Sequence, residues 1–251
     1  AGVPPDGFSP TGQLWGNPLY DWAAAEREDY AWWCRRVERI LNRFDLIRID
    51  HFRGFESFYA IPFGAEDAVV GEWKKGPGMA LFTALRSKLG ALPVIAEDLG
   101  FLTEEVHALL RESGFPGMKV LQFAFDSGPD NLYLPHNYPR SCVVYTGTHD
   151  NDTLLGWLSS APGHTLRFAL DYLGAPEESA LPAALMRAGM GSVAGLCICQ
   201  MQDYLELDAR SRMNIPSTPS GNWQWRMGKD DADDELAGRI REFTQRYRRV
   251  R

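Results

Sequence analysis

Short apolar segments alternate with helical segments along the chain, and this order limits the possible folds more than any other feature. The first clear helical pattern covers Glu26–Phe44, and the apolar segment Asp45–Asp50 follows it directly. The same order of segments recurs further along the chain. Strand and helix in alternation are typical of a parallel sheet covered by helices. The sequence therefore predicts an α/β fold.

Five segments have the pattern of strands. They are Asp45–Asp50, Pro93–Gly100, Met118–Phe125, Cys142–Tyr145 and Val193–Met201. Further helical patterns cover Leu81–Leu89, Thr103–Ser113, Thr153–Leu158, Thr165–Leu173, Leu181–Ala188 and Asp234–Arg249. A closed (β/α)8 barrel requires eight strands, so either three are missed or three lie outside this chain. The chain opens in a loop at Ala1, which favours the second reading, and we expect an incomplete TIM barrel with long inserted loops.

Composition and charge exclude several classes of function. Hydrophobic residues make up 45% of the 251 positions, which is enough for a sizeable core. The net charge of -7 argues against a nucleic-acid or anionic-membrane partner held by electrostatics. The four cysteines form no CxxC pair and no zinc-ligand spacing, and no apolar stretch reaches 18 residues. We expect a protein of a reducing compartment, the cytoplasm.

Acidic residues stand at the ends of three of the predicted strands: Asp50, Glu97 and Asp150. Side chains alternate along a strand, so Arg48 and Asp50 point the same way, which is hard to explain by packing inside an apolar segment. In a parallel barrel such strand ends converge on one rim. Taken singly, each acid is better explained as a helix cap or a turn former, and we keep that explanation for Asp98 and Asp152. For the other three acids together it weakens sharply, because it gives Arg48 no structural reason to be there.

Two chemistries fit converging carboxylates. One is Mg²⁺ binding by oxygen ligands, and the other is glycoside chemistry with one carboxylate as nucleophile and one as acid/base. Aromatic residues crowd the loops that would frame the rim, and sugar rings stack on such side chains. These residues are Trp15, Tyr20, Phe52, Phe55, Phe58, Tyr59, Trp223 and Trp225. Some of them could instead be core residues beneath the loops, but together they favour the carbohydrate reading.

Several long motifs resemble one known family. They read DLIRIDHFRGF, VIAEDLG, GFPGMKVLQFAF, LPHNYP, VVYTGTHDNDT and RMNIPSTPSGNWQWR, together with the opening GVPPDGFSPTGQLWGNPLYDW. The chain resembles the 4-α-glucanotransferases (amylomaltase, or disproportionating enzyme) of the α-amylase clan, and the resemblance runs from end to end. It implies a (β/α)8 barrel whose first strands precede Ala1, so that residues 1–251 are the C-terminal portion of the catalytic barrel.

The resemblance also implies roles for individual residues. Asp50 would be the nucleophile, Glu97 the general acid/base and Asp150 the acid that stabilises the transition state. Arg48 would orient Asp50, and His149 would bind the sugar at the cleavage point. The reaction would retain the α-configuration, with the two reacting carboxyl groups about 5–5.5 Å apart.

Further positions match the family at the substrate groove. By the same resemblance, Gln13, Trp15 and Asn222 would line the groove for the glucan. Gly7 is a departure, because the family often has a larger residue there. The implied substrates are α-1,4-glucans and maltooligosaccharides, with no metal, no cofactor, no nucleic acid and no membrane; the oligomeric state stays open.

Two other functions compete with this one. The same acids could hold Mg²⁺ in a barrel lyase or hydrolase. Alternatively, the isolated chain could be a non-catalytic glucan-binding module, because five of eight strands leave two unpaired edges and an open core.

Overall fold

The computed structural model describes residues 1–6, 9–100, 102–216, 218 and 220–250. It divides the chain into two compact units, Ala1–Met118 and Lys119–Arg251. Helices and strands occur in both units, so the α/β class is confirmed. Gly7, the departure noted above, lies outside the described residues. No helix within the described part of the chain has the length and apolar character needed to cross a membrane.

The described residues of the first unit form two sheets. Its strands are β1 (Gly2–Val3), β2 (Gln13–Leu14), β3 (Ile47–Ile49), β4 (Ser57–Ala60), β5 (Glu72–Lys75) and β6 (Val94–Ala96). Its α-helices are α1 (Trp22–Arg27), α2 (Ala31–Leu41), α3 (Met79–Leu89) and α4 (Glu104–Ser113). Antiparallel pairs build the sheet of order β2-β1-β4-β5. β3 and β6 pair in parallel, with Ile47 opposite Val94 and Ile49 opposite Ala96. The crossover through α3 makes this pair a βαβ unit.

The single helix predicted over Glu26–Phe44 is wrong, because two helices, α1 and α2, occupy the region. Asp29 (φ 51°) and Tyr30 (φ 52°) separate them in the left-handed conformation. A right-handed helix cannot continue through such residues. Tyr30 is buried in the core, which compensates for the strained backbone.

The β4–β5 hairpin is absent from the sequence-based prediction. Every residue of β5 is exposed, so the segment lacks the alternation of apolar and polar residues that marks a half-buried strand. Residues 61–71 connect the two strands, and a connection of that length carries no tight-turn signal. The hairpin therefore leaves little trace in the local sequence.

Aromatic side chains hold together the core of the first unit. Phe52 and Phe82 are fully buried and stack with ring centroids 5.6 Å apart, and Phe55 and Phe115 complete the cluster. Helix α3 packs against both α2 and α4 around these rings. Each buried phenyl ring contributes about 1.5–3 kcal/mol. Since Phe52 and Phe55 belong to the short 3₁₀ helix that follows β3, the core anchors the segment directly after Asp50.

The second unit is built around a sheet of order β7-β8-β9. Its strands are β7 (Gly117–Val120), which crosses the boundary between the units, β8 (Cys142–Tyr145) and β9 (Leu196–Ile198). Its α-helices are α5 (Leu154–Ser160), α6 (Gly163–Leu173), α7 (Leu181–Gly191), α8 (Met201–Tyr204) and α9 (Asp234–Arg246). β8 and β9 pair in parallel. Helices α5, α6 and α7 enclose a second core that contains Trp157, Leu166 and Leu185.

Two strands predicted for this region are shorter than expected. The segment Met118–Phe125 leaves the extended conformation after Val120 and forms a 3₁₀ turn over Leu121–Phe123. The turn buries Leu121 and exposes Phe123. The segment Val193–Met201 is a strand only over Leu196–Ile198, and α8 begins at Met201. The apolar pattern overstated the length of both strands, because the turns that follow them also contain apolar residues.

Candidate functional site

The end of β3 carries an ion pair. Nη1 of Arg48 lies 2.8 Å from Oδ1 of Asp50, as expected for residues two apart on one face of a strand. Arg48 is not fully buried, since 24% of its side chain is exposed, and Asp50 is 68% exposed. The residues of β3 are half-buried because its only strand partner in the described chain is β6. Nε of Arg48 donates to Sδ of the buried Met118 at 3.2 Å, so the guanidinium is held from both sides.

Glu97 follows β6 at the level where Asp50 follows β3, because Ile49 and Ala96 are paired in the parallel ladder. Two main-chain N–H groups donate to its carboxylate: His51 to Oε2 at 2.6 Å and Leu99 to Oε1 at 2.8 Å. Burial raises the pKa of Glu97, and the charge of Asp50 adds to this effect. The two N–H bonds and Arg48 act in the opposite direction. The site thus combines one half-buried carboxyl group with one exposed carboxylate.

His51 connects this carboxyl pair to the aromatic residues of the first loop. Its backbone is left-handed, with φ 49°. Burial lowers the pKa of its imidazole to about 4, and Arg53 contributes to the decrease while Asp50 opposes it. The ring is therefore neutral near pH 7. Its Nε2 is buried without a hydrogen-bond partner in the described part of the chain.

The ring of Trp15 meets His51 edge to face, with centroids 4.8 Å apart and planes at 83°. Nε1 of Trp15 donates to Oε1 of Gln13 at 3.0 Å. Contacts within the first unit therefore link most of the residues singled out from sequence. These are Gln13, Trp15, Arg48, Asp50 and Glu97, with His51 between them.

Asp150, in the second unit, is held by three neighbours. Nδ2 of Asn214 donates to its Oδ1 at 2.6 Å, and Nε2 of His149 lies 3.3 Å from its Oδ2. Nη2 of Arg212 donates to its main-chain oxygen at 2.5 Å. The carboxylate is 41% exposed. Sequence reasoning missed Arg212 and Asn214, although both lie in the RMNIPSTPSGNWQWR motif.

The loop that follows Asn214 closes on itself through Asn222. Oδ1 of Asn222 accepts from the N–H of Ile215 at 2.9 Å, and its Nδ2 donates to Oγ1 of Thr218 at 2.9 Å. The next residue, Trp223, packs against the ring of His149 with centroids 5.1 Å apart. The amide of Asn222, which we expected in the glucan groove, is thus engaged in holding its own loop.

A polar network supports the segment that carries Asp150. The amide groups of Gln122 and Gln200 both donate to the main-chain oxygen of Asp152, at 2.7 and 3.2 Å. A Cβ atom at Gly147 would lie only 2.7 Å from each of these two amide nitrogens. A side chain at this position would therefore have to displace both amides from where they now lie.

Asp203 is a buried carboxyl group that the sequence analysis did not identify. Its Oδ2 accepts from Oγ1 of Thr146 at 2.6 Å, and its Oδ1 from the N–H of Leu154 at 2.8 Å. Burial raises its pKa, whereas these hydrogen bonds act against the increase. The group joins the end of β8 to the start of α5. Asp98 likewise accepts from the N–H of Met118 at 2.5 Å, so it has a structural role.

The described residues contain no group of three or more histidine, cysteine or acidic side chains arranged to hold a metal ion.

Comparisons with known proteins agree with one another. A family model described as 4-alpha-glucanotransferase, glycoside hydrolase family 77, matches residues 1–230. A 4-alpha-glucanotransferase of Thermus thermophilus is 51% identical over 100% of this chain and 51% of its own length. One from Streptococcus pneumoniae serotype 4 is 48% identical over 100% of this chain and 50% of its own length. The chain thus spans about half the length of the curated relatives it matches.

A solved structure is similar over almost the whole chain. It is the amylomaltase from Streptococcus agalactiae in complex with acarbose, with a TM-score of 0.94 and 39% identity. The match covers 99% of this chain and 50% of that protein.

Proposed function

The chain belongs to the 4-alpha-glucanotransferase family, and on this basis we propose that it forms the C-terminal portion of the catalytic (β/α)8 barrel of such an enzyme. The parallel pairs β3–β6 and β8–β9 support this architecture. A further support is that the relatives are about twice as long as this chain. The first barrel strands would come from polypeptide outside the 251 residues. We call the 251 residues together with such a first half the complete enzyme.

The proposed reaction transfers a segment of an α-1,4-glucan to the 4-hydroxyl of an acceptor glucan or glucose. One observation carries the proposal: at the ends of two paired parallel strands, a half-buried carboxyl group of raised pKa, Glu97, adjoins an exposed carboxylate, Asp50, paired with Arg48. A group that is protonated at higher pH than usual is suited to donate a proton. A carboxylate that is oriented by a guanidinium is suited to attack.

In the first step, Glu97 donates its proton to the glycosidic oxygen while Asp50 attacks the anomeric carbon. The bond to the leaving glucan breaks, and a covalent β-glucosyl-enzyme forms on Asp50. Arg48 orients Asp50 through the 2.8 Å ion pair. Asp150 binds sugar hydroxyls more tightly as positive charge develops on the ring, and His149 binds the sugar at the cleavage point.

In the second step, Glu97 acts as the base. It removes the proton from the 4-hydroxyl of the acceptor, whose oxygen attacks the anomeric carbon and releases Asp50. Two inversions retain the α-configuration. Gln13, Trp15 and Asn222 line the glucan groove in this proposal. The hydrogen bond between Trp15 and Gln13 and the ring contact between Trp15 and His51 support the first two roles.

The test is the incubation of the complete enzyme with maltotriose. We expect glucose together with longer maltooligosaccharides, and no transfer after Asp50→Asn. The matched control, Asp45→Asn, changes an exposed carboxylate ahead of the same strand and should leave transfer unchanged. Unreacted maltotriose with the unmodified enzyme, or near-normal transfer by Asp50→Asn, would contradict the proposal. Full transfer after exhaustive chelation would eliminate the Mg²⁺ alternative.

The architecture has a separate test. An incomplete barrel leaves strand edges unpaired, so we expect the 251 residues alone to be unstable or inactive. A cooperative melt of this chain alone, together with disproportionation of maltooligosaccharides, would refute the incomplete-barrel proposal.

A further inference from the structure

Asn214 is joined to the segment His149–Asp150 by its main chain as well as by its side chain. Its N–H donates to the main-chain oxygen of His149 at 3.1 Å, and its Nδ2 donates to Oδ1 of Asp150 at 2.6 Å. Its own carbonyl accepts from Nε of Arg212 at 2.9 Å. The main-chain bonds therefore hold the backbone of Asn214 at the distance from which its amide reaches the carboxylate of Asp150.

These contacts orient the carboxylate of Asp150. Arg212 donates to the main-chain oxygen of Asp150, and its Nη1 lies 4.0 Å from Oδ2 of Asp152. The shorter of the two side-chain contacts to the Asp150 carboxylate, 2.6 Å against 3.3 Å for His149, thus comes from a neutral amide. Asp50 differs, because its carboxylate is paired with a guanidinium. A neutral donor fixes the plane of a carboxylate without offsetting the negative charge that an oxocarbenium-like transition state requires.

We propose that Asn214 is a positioning residue that holds Asp150 in the orientation needed for transition-state stabilisation. The inference rests on the proposed function. With Oδ1 held by Asn214, Oδ2 lies on the side of the His149 ring. Trp223 packs on that ring from the same loop. Asn214 therefore links the loop that reaches to Trp223 with the carboxylate that acts on the sugar.

The test compares Asn214→Ala with the complete unmodified enzyme on maltotriose. A misplaced carboxylate reduces the stabilisation of the transition state more than it reduces the affinity for substrate. We therefore expect kcat to fall about ten- to hundredfold with KM nearly unchanged. Asn214→Asp, of the same size, removes the donor and adds a like charge, and should reduce kcat further. Asn137→Ala is the control, because its Nδ2 holds another loop through the oxygens of Pro129 and Asn131. It should leave kcat unchanged.

A double-mutant cycle separates action through Asp150 from a general loss of loop structure. The donor is α-maltosyl fluoride, which is activated. In Asp150→Asn the carboxylate that Asn214 orients is already absent, so its contribution to the rate is already lost. Adding Asn214→Ala to that variant should then cost little more than Asp150→Asn alone. Independent, multiplicative losses in the double variant would overturn the positioning role, and so would a proportionate rise in KM for Asn214→Ala.

The outcomes distinguish this inference from the function on which it rests. Normal transfer by the unmodified enzyme with normal kcat for both Asn214 variants refutes the positioning role alone. Failure of the unmodified enzyme to transfer glucan refutes the proposed function, and this inference with it. Thermal melts of both variants identify a variant that has not folded, in which case the other variant decides.

Discussion

The main-chain N–H of His51 donates a 2.6 Å hydrogen bond to Oε2 of Glu97. The peptide group can point at the carboxylate because His51 is left-handed, with φ 49° and ψ 52°. In addition, the N–H of Phe52 donates to the main-chain oxygen of Glu97 at 3.1 Å. The conformation of the chain directly after β3 thus fixes a carboxyl group at the end of β6.

The left-handed conformation of His51 predicts an unusual order of stability for two substitutions. His51→Gly and His51→Ala both remove the ring, but only alanine is strained at positive φ, by roughly 1–2 kcal/mol. We expect His51→Gly to be the more stable by about 1 kcal/mol in urea unfolding of the complete enzyme. His107, inside α4, is the control. His107→Gly should be less stable than His107→Ala there, and the same order at both positions would argue against backbone strain at His51.

The neutral imidazole of His51 predicts a loss of stability in acid. Its pKa in the folded protein is about 4, against 6.5 for the ordinary group. As pH falls from 6.5 towards 4, the unfolded chain binds a proton that the folded chain excludes. The free energy of unfolding should therefore decrease by up to about 3 kcal/mol relative to His51→Asn, which tolerates positive φ and does not titrate. Parallel pH profiles of the two proteins would show that His51 is not the titrating group.

The proposed acid/base role of Glu97 predicts a dependence on the leaving group. Glu97→Gln should lose most transfer from maltotriose, whose leaving sugar needs a proton, and less from a glucosyl fluoride, whose leaving group does not. Added azide should restore turnover of the fluoride by attacking the glucosyl-enzyme without a base. Glu104→Gln, at an exposed ion pair with Arg111, is the control. If Glu97→Gln showed neither the loss nor the rescue, Glu97 would have no acid/base role.

The crowding at Gly147 predicts that a single methyl group is harmful. In Gly147→Ala, the new Cβ would meet the amide nitrogens of Gln122 and Gln200 at 2.7 Å. Overpacking of this kind typically costs about 1–3 kcal/mol. The melting temperature and kcat should both fall, because the amides support the segment that carries Asp150. Gly163→Ala should be tolerated, because the new Cβ would lie 3.5 Å from a flexible guanidinium nitrogen of Arg167.

The sequence predicted the elements with strong local signals. Helix α3 ends at Gly90 and α4 at Gly114, both at positive φ, and these glycines marked the ends correctly. The break between α1 and α2 was not predictable in the same way. Asp29 and Tyr30 adopt left-handed conformations because burial of Tyr30 compensates for the strain, and that compensation arises only in the folded core.

In the candidate site, too, contacts between neighbours in the sequence were predictable and contacts between distant residues were not. The alternation of side chains along a strand predicted that Arg48 lies beside Asp50, since residues two positions apart share a face. Asn214 lies 64 residues from Asp150 in the sequence, and no local pattern predicts their contact. The expected groove role of Asn222 rested on resemblance alone, and its hydrogen bonds to Ile215 and Thr218 became visible only when the loop was folded.

The carbonyl oxygen of Asp152 accepts from two amide side chains, Gln122 and Gln200. A carbonyl oxygen has two lone pairs, so loss of either glutamine still leaves it one partner. The turn that follows β8 is therefore buffered against single substitutions at these positions. Either glutamine can therefore be replaced during evolution while the other remains, but replacement of both would leave the carbonyl oxygen without these two donors.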